Sequence, residues 1–251
     1  MAQQLDRADS VNVHIHPGPV AAQLDPLILL DQAVAQEKLP RAMAKKVRLK
    51  MNVLEGAVHR AERASGLRYP PYYVEPVLPL SKTGAEYGQA GVLFARVVPH
   101  TATGSLVILV QFTAALVAFG TKGTIEAVAA HEFTHYVELV RKLSTKSVVS
   151  DEIATTLYEA SYADAERTVP PRDLFSEKSL VSLVSRKFKN ELSDSALNKK
   201  VGDAWISKGL PIRWVGPEEN FVKIPMGMVA ATKFDPGVLA KVAELQQKAR
   251  A

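Results

Sequence analysis

The sequence predicts an α+β fold that is mostly α-helical, with a small mixed sheet ahead of a long central helix and a helical C-terminal part. Apolar residues recur at three- and four-residue steps over 41–65 and 125–143, as expected for amphipathic helices. Between these segments, 73–78, 91–98 and 106–112 have the apolar composition of short strands and are separated by Gly, Pro, Thr and Ser. The period changes from helix to strand and back, so the sheet comes between the two helices in the sequence.

Start and stop signals define the elements before the sheet. Residues 11–15 alternate apolar and polar side chains ahead of a Pro-Gly-Pro break, which predicts a short strand. Asp25-Pro26 then provides an N-cap and a first-turn proline for a helix that ends near residue 35. The longer helix that follows is expected to end at Gly66, because glycine readily adopts the left-handed conformation found after a helix.

Similar signals predict helices through the rest of the chain. Thr121 or Thr124 can cap the central helix, and Ser150 can cap the next one, whose first turn is acidic and which ends near Pro170. The remaining segments are predicted helices over 173–192, 195–207 and 236–249, with an irregular stretch or hairpin over 211–225.

Length and composition limit both the architecture and the chemistry. The 251 residues can form one or two domains, and a boundary near residue 170 would separate a mixed part, 1–170, from a helical part, 171–251. The two parts are compatible with one shared core. No cysteine is present, which excludes disulfides, thiolate catalysis and cysteine-bound metals. A metal would therefore be bound by His, Asp or Glu.

Charge and hydropathy bear on location and partners. The net charge of +5 is interpreted as a solvated basic surface. The first ten residues lack an apolar stretch after a basic cluster, so no targeting segment is predicted. The most apolar window, 105–120, is interrupted by Gln111 and Thr113 and is shorter than the roughly 20 residues that cross a bilayer. We expect a cytoplasmic location and no membrane partner.

The segment 128–137 carries the pattern His131-Glu132-x-x-His135 inside the predicted central helix. Residues four apart share one face of a helix, so both imidazoles can bind one cation at about 2.0 to 2.1 Å. Glu132 lies about 100° around the helix from His131, where its carboxylate can reach a metal-bound water. Chance produces this pattern in about one of a hundred chains of this composition. The alternative is a pair of structural histidines with an unrelated glutamate between them.

The pattern and its uncharged neighbours resemble the active-site helix of the zincin superfamily of zinc metallopeptidases, most strongly over 128–137 and more loosely over 124–166. The resemblance implies a zincin-like fold in which His131 and His135 bind Zn²⁺ and Glu132 activates water. No histidine follows His135, so the extended motif with a third histidine is absent. The chain therefore resembles the gluzincin branch, in which a glutamate on the following helix completes the site.

Three glutamates on one face of that following helix are candidates for the third ligand: Glu152, Glu159 and Glu166. Glu159 is favoured if the central helix rises roughly 12 Å beyond His135 and the next helix returns over the same distance. Glu152 is the alternative if the connecting segment makes that descent. Many gluzincins place an aspartate four residues after the ligand, but here position 163 is Ala163.

Catalysis would also need a donor to the developing oxyanion, and Tyr162 is the candidate, with Tyr158 and His100 as further donors. The strand over 106–112 could bind a substrate as an added strand, or it could be an interior strand. The resemblance thus implies a zinc-dependent peptidase with a peptide or protein substrate.

Two other functions remain in competition with a peptidase. One is a non-catalytic or regulatory zincin-like metal-binding protein that acts through a protein partner. The other is a basic nucleic-acid-binding protein, suggested by the lysine- and arginine-rich run over 45–50. That run belongs to an amphipathic helix, so we interpret it as a solvated face and do not expect a nucleic-acid partner.

Overall fold

The structure is a computed structural model, and it describes residues 25–81, 91–102, 105–144, 168–189, 192–215, 229 and 231–248. It has an α+β fold in which helices predominate, which confirms the predicted class. The predicted strand over 11–15 and the predicted helix that begins at Ser150 lie outside the described residues.

Along the described chain, three helices precede five strands, and the elements that follow are helices apart from one late strand. The helices are α1 (Ile28–Ala35), α2 (Arg41–Arg48), α3 (Met51–Ser65), α4 (Ala114–Phe119), α5 (Lys122–Ser144), α6 (Pro171–Leu174), α7 (Lys178–Lys187), α8 (Ser195–Val201), which continues as a π-helical turn (Gly202–Ile206), and α9 (Pro236–Lys248). The strands are β1 (Tyr72–Glu75), β2 (Leu78–Ser81), β3 (Gly91–Val92), β4 (Ala95–Ala102), β5 (Ser105–Thr113) and β6 (Ile212–Val215).

The segment predicted as one helix over 41–65 forms two helices, α2 and α3, so the prediction of a continuous helix was wrong. Lys50 leaves helical geometry with φ −112° and ψ 4°, and its ammonium donates to the carbonyl oxygen of Gly120 at 3.0 Å. The buried stripe continues across the break, so the sequence pattern carries no signal for it. Because α2 packs on α4 and α3 packs on α5, tertiary contacts decide the change of direction. Gly66 ends α3 in the left-handed conformation with φ 69°, as predicted.

The first sheet has the strand order β1–β5–β4, with β1 parallel and β4 antiparallel to β5. Of the two interpretations of 106–112, the interior strand is therefore confirmed. Within the described chain β4 is an edge strand. Thr113 donates its backbone N–H to the carbonyl of Phe94, so with the antiparallel register the nitrogen of Pro99 points away from β5. Proline, which has no N–H, is found at such outward edge positions.

A second sheet has the order β3–β2–β6, with β2 antiparallel to β3 and parallel to β6. The segment predicted as one strand over 73–78 contributes to both sheets. Pro76 interrupts it because proline cannot donate to a ladder and restricts the residue before it. The predicted strand over 91–98 is likewise divided between β3 and β4.

The C-terminal predictions are partly confirmed. Helix α9 agrees with the predicted 236–249, whereas 173–192 is divided into α6 and α7. Phe175 ends α6 with an extended backbone, and its ring lies 6.3 Å from that of Phe133 in the core. The segment 195–207 begins at Ser195 as predicted, and β6 lies at the start of the predicted irregular stretch.

Helix α5 lies at the centre of the molecule. It packs against α3, α7 and α9 and against the first sheet. One buried apolar cluster includes Phe133 on α5, Phe175, Trp205 and Val238, so residues on both sides of position 170 share a core. In the described part of the chain, no helix is both long enough and apolar enough to cross a membrane.

Candidate metal centre

The candidate site is built on α5, whose start is determined by local hydrogen bonds. Thr121 accepts the backbone N–H of Thr124 at 3.1 Å, which confirms one of the two predicted caps. The predicted apolar stripe is buried along its length, at Ile125, Ala129, Phe133, Tyr136 and Val140. From Thr124 to Val140 every residue of the helix is buried except His131, which is partly buried.

His131 and His135 converge as their spacing predicts. Their Nε2 atoms are 3.0 Å apart, and the ring centroids are 4.6 Å apart with the rings nearly perpendicular. Two nitrogens bound to one tetrahedral zinc at about 2.0 to 2.1 Å lie roughly 3.3 Å from each other. The separation in this structure is therefore near that required for a shared cation. Without one, the same distance suits a hydrogen bond between the two rings.

Burial favours the neutral form of both imidazoles. It lowers the pKa of His131 well below its ordinary value, and the neighbouring His135 lowers it further. Burial also lowers the pKa of His135 to about 4, with a smaller contribution from Lys142. A neutral imidazole keeps a lone pair on one nitrogen, which is the form that binds a metal. Both rings are thus in the protonation state of a metal ligand at neutral pH.

Glu132 is a buried carboxyl group for which the described part of the chain supplies no partner. It is 6% exposed, and among the described residues no group hydrogen-bonds to it or forms an ion pair with it. Burial raises its pKa to about 8. A buried carboxylate normally needs a compensating charge or several donors. A cation held beside it by the two histidines would supply that charge.

An aromatic layer lies behind the motif. The Tyr69 hydroxyl donates to the carbonyl oxygen of Ala129 at 2.8 Å, and its ring stacks on Phe133 at 5.0 Å. Burial raises the pKa of Tyr69 well above its ordinary value, and the charge of Glu132 adds to that effect. The phenol therefore stays protonated, and it ties α5 to the segment that follows α3.

Phe188 covers the histidine face, which the sequence does not predict. This residue follows α7, and its ring stacks on His131 with centroids 3.8 Å apart and planes 11° apart. The histidine face is consequently more enclosed than expected for an open cleft, since His135 is only 7% exposed. Phe188 falls inside the predicted helix over 173–192, and its sequence neighbourhood carries no signal for the face that it covers.

The remaining sequence candidates are not brought to the site by the described residues. Glu152, Glu159, Glu166, Tyr158 and Tyr162 lie outside them. His100 is described, but it pairs across the ladder with Val107, which packs with Leu109 and Leu29 on the sheet face opposite the main core. The His100 side chain therefore lies on the sheet face opposite the main core, which contains buried apolar residues of α5.

The described residues fit a divalent cation in part. They supply two converging imidazole nitrogens and a carboxyl group on the same helix, but no group of three His, Cys, Asp or Glu side chains that could hold a metal occurs among them. Comparisons with protein-family models, curated proteins and solved structures find no match for this chain. The resemblance to zincins therefore depends on the motif and its helix alone.

Proposed function

We propose that this protein is a zinc-dependent hydrolase that cleaves peptide bonds. The observation that carries the proposal is the geometry of α5, where two imidazole nitrogens converge at 3.0 Å next to a buried glutamate with no partner among the described residues. Each feature alone has a structural explanation, but together they supply two ligands and a general base at one place. A carboxylate, with Glu159 first and Glu152 as its alternative, would complete the metal site.

The side chains would have distinct roles in hydrolysis. His131 and His135 would hold Zn²⁺, which supplies positive charge that polarises a carbonyl group and acidifies water. Glu132 would accept the proton of the attacking water and deliver it to the amide nitrogen as the peptide bond breaks. The absence of a competing partner in the described structure leaves the Glu132 oxygens available for that transfer. Tyr162 remains the proposed donor to the oxyanion.

The position of β4 supports the proposal that the substrate binds in an extended conformation. This strand is at the edge of the first sheet among the described residues, and it packs against α5. The outward backbone groups of Ala95, which is partly exposed at the start of the strand, could pair with a peptide, as in other complexes in which a peptide extends a sheet; Val97 and Pro99 further along the strand are buried. The interior strand β5 cannot serve this purpose, because both of its edges are paired.

Metal analysis combined with hydrolysis assays tests the proposal. We expect the purified protein to hold about one zinc per chain and the His131→Ala variant to lose it. His59→Ala is the matched control, because His59 is an exposed histidine on α3, and it should keep zinc. Glu132→Gln should keep zinc while hydrolysis of a peptide library falls at least about 100-fold.

Glu138→Gln is the control for Glu132→Gln, because it makes the same change two turns further along α5. We expect it to retain most of the hydrolysis. Absence of zinc binding would contradict the proposal, as would equal hydrolysis by the Glu132→Gln variant and the unaltered protein.

A non-catalytic metal-binding protein is the second candidate, and Phe188 is the observation that favours it. Its ring stacks on His131, which narrows the access of a large substrate to the histidines. In this case the protein would bind zinc without hydrolysing any peptide in the library. The Phe188→Ala variant separates the two, since uncovering the histidines should increase turnover of a peptidase and leave a non-catalytic protein inactive.

A further inference from the structure

Four lysines from two distant parts of the sequence form a surface cluster outside the candidate metal centre. We call Lys46, Lys50, Lys200 and Lys208 the lysine cluster. Lys46 and Lys50 lie at the end of α2 and just before α3, Lys200 is in the last turn of α8, and Lys208 follows the π-helical turn. Three of them are exposed, and Lys50 is partly exposed.

The end of α4 brings the cluster together. The ammonium of Lys46 lies 3.9 Å above the centre of the Phe119 ring, and that of Lys50 donates to the carbonyl oxygen of the next residue, Gly120. Helix α8 packs against α4, which places Lys200 on the same side of the molecule. Tertiary packing therefore brings these lysines together, although they come from distant parts of the sequence.

The charges of the cluster act on one another and are not neutralised within the described chain. The pKa of Lys46 is lowered by partial burial and then by the charges of Lys50, Lys200 and Lys208. The pKa of Lys50 is lowered by burial and by Lys200. Among the described carboxylates, none forms an ion pair with any of the four; the nearby Arg48, in contrast, is paired with Asp31. Repulsion of this kind is relieved by an anionic partner.

We propose that the lysine cluster is a docking surface for anionic membranes, with the ammonium groups binding phospholipid headgroups. Leu49 decides between this partner and a nucleic acid. It lies between Arg48 and Lys50 and is 71% exposed, and Ile206, two residues before Lys208, is also exposed. An apolar side chain surrounded by basic residues gains free energy by entering the lipid interface, whereas it has no comparable contact on a phosphate backbone.

Phe119, whose ring lies under Lys46 of the lysine cluster, also argues against a nucleic-acid partner. Binding of single strands commonly uses exposed rings on which bases stack. Phe119 is buried, and its face is covered by Lys46. The surface thus offers charge and aliphatic side chains, which is the composition of peripheral membrane-binding surfaces. This inference is independent of the proposed hydrolase function. It requires no helix that crosses the bilayer, but it replaces the sequence-based expectation of no membrane partner.

Vesicle flotation with the full chain tests the proposal. We expect binding to vesicles of phosphatidylcholine and phosphatidylglycerol in a two-to-one ratio, and little binding to phosphatidylcholine alone. A triple variant, Lys46→Gln with Lys200→Gln and Lys208→Gln, should weaken binding at least about tenfold, since each lysine near an anionic surface contributes roughly fivefold. Leu49→Gln should weaken it about fivefold, which a purely electrostatic surface would not show.

A triple variant that removes the same charge elsewhere is the control, with Lys38, Lys178 and Lys233 each changed to Gln. These lysines are exposed and form no ion pair in the described structure, and their removal should change binding less than about twofold. Equal losses in the two triple variants would overturn the proposal, as would equal binding to both kinds of vesicle. Binding to a single-stranded oligonucleotide that is unaffected by Leu49→Gln, without vesicle binding, would replace it with a nucleic-acid surface.

Discussion

Helix α5 buries three glutamates at six-residue steps, and they differ chiefly in their partners. Glu126, Glu132 and Glu138 are 7%, 6% and 7% exposed. Arg60 donates to Glu126 at 2.5 Å, and Arg141 donates to both oxygens of Glu138 at 2.6 and 2.8 Å. Glu132 has no such partner among the described residues. On α5, two buried carboxylates are therefore paired with arginines, and the third has no such partner in the part of the chain that the structure describes.

The partners of these three glutamates indicate which of them stabilise the fold and which is available for another role. A buried carboxylate without compensation destabilises the folded state, and a paired arginine offsets that cost. The chain provides an arginine for Glu126 from α3 and for Glu138 from α5 itself. Among the described residues no arginine pairs with Glu132, which is the glutamate next to the two converging histidines. The buried glutamate without an arginine partner in the described structure, Glu132, is thus the one beside the proposed cation site.

The largest expected effect on stability comes from removing Arg60. This guanidinium bonds to Glu126 and to Glu177, so Arg60→Met leaves Lys122, 3.8 Å away, as the one remaining ion-pair partner of Glu126 among the described residues. We expect the free energy of unfolding to fall by about 3 kcal/mol, measured by urea titration at neutral pH. Arg141→Met is the control and should cost less, about 1 to 2 kcal/mol, because Arg141 pairs with one carboxylate whereas Arg60 pairs with two, and because the Arg141 side chain is 41% exposed against 21% for Arg60. Equal costs would break the comparison.

A smaller effect separates the paired glutamate from the unpaired one. In metal-free protein, Glu126→Gln should lower the free energy of unfolding by about 1 to 2 kcal/mol, since it weakens a charged hydrogen bond. Glu132→Gln should leave it unchanged or raise it, because burial raises the pKa of Glu132 to about 8, so folding at neutral pH must protonate this group, a cost that a neutral amide does not have. Urea titration in the presence of a chelator measures both. A loss at position 132 as large as that at position 126 would indicate a structural partner for Glu132.

The smallest expected effect is a pH dependence at the edge of the arginine network. Hydrogen bonds from Arg60 and Ser179 lower the pKa of Glu177 from 4.5 to about 2. Because the folded-state pKa is lowered, the contribution of this carboxylate to stability is complete above pH 4.5 and is lost as the pH falls toward 2. It should be small, since the Glu177 side chain is 40% exposed.

Thermal unfolding of the unaltered protein and of Glu177→Gln, compared across this pH range, measures that contribution. The two melting temperatures should approach each other as the medium becomes more acidic. A constant difference would show that the Glu177 charge does not contribute.

The sequence predicts features of the site that depend on local spacing. The approach of His131 and His135 follows from a separation of four residues on a helix, and the start of α5 follows from the hydroxyl of Thr121. The end of α3 follows from Gly66. These predictions need only the geometry of one element, so a single sequence contains them.

Features that join distant elements were not predictable in the same way. Arg60 and Glu126 are 66 positions apart, and no pattern in either helix specifies their contact. Phe188 reaches His131 only because α7 packs against α5, and α2 separates from α3 because each contacts a different helix. Pro99 carried a signal for an edge strand that the apolar pattern obscured. The candidates for the third ligand of the proposed zinc site, Glu152, Glu159 and Glu166, lie outside the described residues.

Pro99 also affects how copies of the molecule meet one another. An exposed sheet edge can recruit a neighbouring chain and extend into an aggregate, because its backbone groups act as a template. A missing N–H in the middle of β4 interrupts that template, so an intruding strand would lose a hydrogen bond at this point. Val97 and Pro99 are also buried in the described structure, so the middle of β4 resists continuous self-association for two separate reasons.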